Sequence, residues 1–177
     1  MPFEYEDVSF FFTLIPQSVN SSGSQSDGPW ALKMIARSKL PSEAFSPKFI
    51  TKETDKAGRE IEVVEGAGLK YQQLRVLSAV FVDSQNKRYI IVADSEGWNA
   101  NFKSVRSLVT KKWLDPEIVY VFDQVIFPEY NNNQNLTLVI DVELKVDGVW
   151  EHLTEEIHFK AKHSTGTESF NPIFDIT

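Results

Sequence analysis

The chain has 177 residues, no cysteine, 18 basic against 25 acidic residues and a formal net charge of -7. That length suits one domain that buries its own core, and the lack of Cys excludes a disulfide framework, a thiolate nucleophile and a cysteine metal site. The acidic balance opposes attraction to phosphate backbones and anionic lipid, so neither nucleic acid nor a membrane is expected as a partner. The opening residues, from Met1 to Asp7, are acidic where a signal peptide is basic, and the apolar run Val8 to Ile15 is too short to span a bilayer. A cytoplasmic protein is expected.

In chain order, Val8 to Ile15 is aromatic and β-branched and reads as a strand buried on much of both faces, ending at Pro16. Residues 17–29 are rich in Ser, Gly and Asn and read as a loop. Trp30, Leu32, Met34 and Ala36 then recur at period two opposite Lys33 and Arg37, the pattern of a half-exposed strand. Phe49 to Thr51 and Ile61 to Val64 flank the polar turn Thr54 to Arg59 and predict a hairpin. Leu74 to Val82 and Tyr89 to Ala93, on either side of Asp83 to Arg88, are apolar enough to be the centre of the core.

Phe102, Val105, Leu108, Val109 and Trp113 fall at helical spacing, with Lys103, Arg106, Lys111 and Lys112 between them. This predicts one α-helix over about residues 102–114, closed by Asp115-Pro116, with Lys111 and Lys112 suited to the negative end of its dipole. Ile118 to Phe127 is a further apolar run. From Leu136 to Val146 apolar and polar residues alternate up to Asp147-Gly148, the favoured pair of a type I′ turn. That turn sets Val146 opposite Val149, Val142 opposite Leu153, Leu138 opposite Ile157 and Leu136 opposite Phe159 on the buried side. Glu151 and Glu155 fall on the same side and fit it badly. The tail from Ser164 to Thr177 carries Phe170, Ile173, Phe174 and Ile176, too apolar for a free end. The expected fold is mainly β, an antiparallel sandwich or barrel-like domain with a single helix, and residues 1–177 form one domain with a Ser/Gly-rich loop at 17–29.

Chemistry is harder to place. The three histidines, His152, His158 and His163, lie close in sequence. On a strand, however, His152 and His158 stand roughly 20 Å apart and cannot share an ion; the expected role is a solvated strand face, with His152 opposite Glu143. Asp94, Glu96, Asn99 and Asn101 gather oxygen ligands after a strong strand and form a weaker, calcium-like alternative, although the spacing does not match an EF-hand. Glu65-Gly-Ala-Gly68 lacks the Gly-Lys-Ser/Thr end of a phosphate loop and reads as a turn. No nucleophile elbow is present, and no cofactor is expected.

The leading expectation is therefore a non-enzymatic protein-binding or assembly module, an accessory protein or particle subunit, working through a protein partner or self-association. Its contact residues would be Trp98 in a polar turn, together with Tyr130, Asn131 and Asn133 near an Asn-rich loop. Two alternatives are a β-barrel or sandwich carrier of a small apolar ligand and a carboxylate-dependent hydrolase or isomerase.

Overall fold

A computed structural model describes residues 3–16, 30–39, 46–92, 98–125, 135–162 and 173–176. Among these residues thirteen strands run in chain order as β1 (Phe3–Tyr5), β2 (Val8–Pro16), β3 (Trp30–Ser38), β4 (Ile50–Thr54), β5 (Glu60–Glu65), β6 (Tyr71–Val82), β7 (Arg88–Val92), β8 (Trp98–Asn101), β9 (Lys103–Val105), β10 (Glu117–Val125), β11 (Leu136–Val146), β12 (Val149–Lys162) and β13 (Ile173–Ile176). They form two antiparallel sheets. Sheet A has the order β1-β2-β3-β10-β9-β5-β4 and sheet B the order β13-β12-β11-β6-β7, with β8 also paired to β6. The sheets pack as a sandwich and do not close into a barrel. No helix among the described residues is long and apolar enough to cross a membrane.

Alternation drives the packing. Phe10, Phe12 and Leu14 of β2 and Trp30, Leu32, Met34 and Ala36 of β3 face inward, where they meet Leu138, Ile140, Val142 and Leu144 of β11 in one apolar cluster. Phe81 and Phe159 meet edge to face at 5.7 Å inside sheet B. The β11–β12 hairpin has the register that its turn dictates, from Val146 opposite Val149 to Leu136 opposite Phe159. Asp147 and Gly148 both take positive φ, 48° and 84°, as a type I′ turn requires. The end of the tail adds β13 to the edge of β12, with Phe159 opposite Ile176.

Two other hairpin turns are built alike. In β4–β5 the Asp55 Oδ1 accepts the N–H groups of Ala57 and Arg59 at 2.9 and 2.8 Å. In β6–β7 the Asp83 Oδ1 accepts those of Gln85 and Lys87, both at 2.9 Å. Each turn places a left-handed residue, Gly58 at φ 81° or Asn86 at φ 64°, one position before its basic closing residue. An aspartate that satisfies two backbone donors, followed by a residue tolerant of that conformation, encodes the turn.

The helix expected over residues 102–114 does not form. The chain instead runs extended from sheet B through β8 to sheet A through β9, switching sheets at Phe102, which is fully buried. The Phe102 N–H donates to the Gln72 carbonyl at 2.9 Å and its own carbonyl accepts the Gly66 N–H at 3.0 Å, tying the corner to β6 and to the turn that follows β5. A turn at residues 108–110 and a bridge between Arg106 and Trp113 follow. Val109, assigned by spacing to a buried helical stripe, is 89% exposed, and Lys111 adopts φ 60° in a loop rather than closing a helix. The pair Leu74–Val82 and Tyr89–Ala93 also divides: β6 is central, whereas β7 lies at an edge with Ile90 70% exposed.

The misfit of Glu151 has a local solution. It points inward at one end of the sandwich and accepts the Tyr5 hydroxyl at 2.5 Å on Oε2, linking the two sheets. Glu155, on the same side, is half-buried.

Candidate functional site

Among the residues singled out by sequence, Tyr130, Asn131, Asn133, Asp94, Glu96 and His163 lie outside the described residues. Trp98 is half-buried. Its ring sits 4.4 Å from that of Tyr120 and 5.9 Å from that of Phe122, so β8 of sheet B caps β10 of sheet A through three aromatic rings. Such a ring covers the core, and only its rim is open to a partner. Asn99 and Asn101 are exposed on the opposite side of β8. The Asn101 amide is already engaged, accepting from Gln73 Nε2 at 2.7 Å and donating to Glu65 Oε1 at 3.1 Å.

The outer face of sheet B is polar over β11 and β12 except at Val139, which lies in one row with Val80 of β6 and the exposed Ile90 of β7. Arg75 pairs with Glu143 at 3.3 Å and lays its guanidinium over the Trp150 ring at 4.1 Å. His152 is opposite Glu143 in register, yet its ring turns diagonally to Asp141, which also accepts from the Thr154 hydroxyl at 2.9 Å. The His158 ring meets the Thr137 hydroxyl at 3.1 Å. Among the described residues, no three His, Cys, Asp or Glu side chains come together in a way that could hold a metal ion.

Sheet A presents a different outer face. Antiparallel pairing aligns Phe11 of β2, Ile35 of β3 and Val119 of β10 in one row across three neighbouring strands. The next row holds Thr13, Lys33 and Val121, and the row beyond it Ile15 and Ala31. Phe11, Ile15, Val119 and Val121 are 36 to 49% exposed. A solvated sheet face should carry polar residues at these alternate positions. On the other side a charged row borders the stripe: Arg37 opposite Glu117, and Glu117 opposite Lys103. Arg37 binds Glu117 at 3.0 Å and Lys103 reaches Glu53 at 2.5 Å. A groove of about 520 Å³ opens here, where β9 parts from β10, with Val119 and Leu114 among its walls. Beyond Glu117, β10 has no strand partner on this side among the described residues.

No family model, curated protein or solved structure matches the chain. What the molecule offers chemically is thus read from its own surface. The interior is filled by Phe10, Phe81, Phe102, Phe159 and their neighbours, while the outer face of sheet A carries apolar side chains that the fold leaves unburied.

The signal for this face was present in the sequence as the unbroken apolar run Val8 to Ile15. Such a run is equally consistent with a strand buried on both faces, as we expected there. Only the position of β2 in an outer layer separates the two readings, and that position depends on pairing with β3 and on what covers it.

Proposed function

We propose that this chain is a protein-binding or assembly module that engages its partner through the outer face of sheet A. The observation that carries this reading is that sheet A exposes Phe11, Ile15, Val119 and Val121 together across three adjacent strands, whereas on the outer side of sheet B the one strongly exposed apolar side chain among the described strand residues is Ile90 on edge strand β7. Contiguous exposed apolar side chains rimmed by charge are the usual composition of an interaction surface. A preformed sheet face also costs little ordering entropy when a partner covers it.

The test compares the wild-type chain with a V119D/V121D variant and with an H152A control on the opposite face. Each is used as bait in extract of the source cells, and solution mass is measured in parallel. The reading expects a partner, or a higher oligomer, that is present with wild type and H152A and lost with V119D/V121D. Identical recovery and identical mass for all three chains would overturn it.

A further inference from the structure

Lys33 occupies the middle of the apolar face. It lies on β3, the central strand of the three, with Thr13 and Val121 opposite it and with Ala31 and Ile35 two residues away on the same side of the strand. Its side chain is half-buried, and it makes no hydrogen bond or ion pair among the described residues. Two rows away, Glu117 is already committed, holding Arg37 at 3.0 Å and lying opposite Lys103.

An ammonium in this position governs what can cover the face. Docking an apolar surface over Lys33 strips water from a charge, which opposes binding unless an anion replaces that water. A second copy of this chain packed face to face about a two-fold axis at the centre of the patch, where Lys33 lies, would bring Lys33 against Lys33, a like-charge contact that disfavours that symmetric dimer. Resting on the reading above, we infer that the partner is a different protein, presenting an apolar segment with a carboxylate placed to meet Lys33.

A displayed library of random twelve-residue peptides panned against the full chain tests this. Enriched binders are then measured against wild type, K33M, K33R and V119D, each checked for an unchanged circular dichroism spectrum and melting temperature. The inference expects binders with Asp or Glu among apolar residues, at least about fivefold weaker on K33M, largely retained on K33R and lost on V119D. Binders lost on V119D but indifferent to K33M, or lacking a carboxylate, would overturn the inference and leave the apolar-face reading standing. If no binder is enriched, or if those found ignore V119D, both are overturned.

Discussion

Tyr5 and Glu151 stand 146 residues apart in the chain and share a hydrogen bond of 2.5 Å that joins the edge of one sheet to the inner side of the other. The bond to the carboxylate, with burial and the charges of Glu151 and Glu6 adding to it, pushes the Tyr5 hydroxyl up to about 12. Because the folded value lies above the ordinary tyrosine value, the stabilisation is complete below about pH 10 and is lost as pH rises from there towards 12. Y5F should cost about 1 kcal/mol at neutral pH. It should also flatten the fall in melting temperature between pH 9 and 11.5 relative to wild type. An equally steep fall in both proteins would show that this bond does not contribute to the alkaline limb.

The twin aspartate turns predict a graded response at Asp83, which is buried and whose Oδ2 also accepts the Tyr89 hydroxyl at 3.2 Å. D83A leaves two backbone donors unpaired and should destabilise by about 2 kcal/mol in urea unfolding. D83N retains one acceptor oxygen for both N–H groups, so less than half that loss is expected.

Two glycines should fail for different reasons. A Cβ at Gly148 would meet nothing within 4 Å, so only its φ of 84° opposes substitution, and G148N should be nearly neutral where G148A costs about 1 kcal/mol. A Cβ at Gly68 would lie 2.7 Å from both Phe49 Cβ and Val64 Cγ1. G68A and G68N should therefore both destabilise, by about 1 to 3 kcal/mol, and asparagine should bring no relief. Thermal melts of the four variants separate the two causes.

At the sheet-switching corner, F102A removes a fully buried ring and should cost about 3 to 5 kcal/mol. V109A, on the exposed turn nearby, should stay within about 0.5 kcal/mol of wild type. A helical arrangement would have required comparable losses at both positions, so chemical denaturation of the pair discriminates directly.

Local chemistry made parts of this fold readable from the residues alone. Asp147-Gly148 admits one turn type, and the alternation on either side leaves no second register that buries Leu138, Val142 and Val146 together. The stretch from Phe102 to Trp113 misled because apolar residues at spacings of three and four also arise when a short strand is followed by a tight turn. Its turn residues Ser107 to Thr110, with Lys111 in the left-handed region, mark the difference only after the backbone is known. The candidate face was hidden for a third reason: whether Phe11, Ile35 and Val119 are adjacent depends on β10 inserting beside β3, a long-range pairing that no local pattern encodes.

That insertion has a temporal consequence. Arg37 and Glu117 are 80 residues apart in the chain, whereas the β4–β5 and β11–β12 hairpins close over a few residues each. Hairpins of this kind form in microseconds, while ladders that close long loops take milliseconds to seconds. The row formed by Phe11, Ile35 and Val119 therefore exists only once a long loop has closed, a step that neither hairpin requires. A protein that recognises it would select finished molecules and pass over nascent or partly unfolded ones.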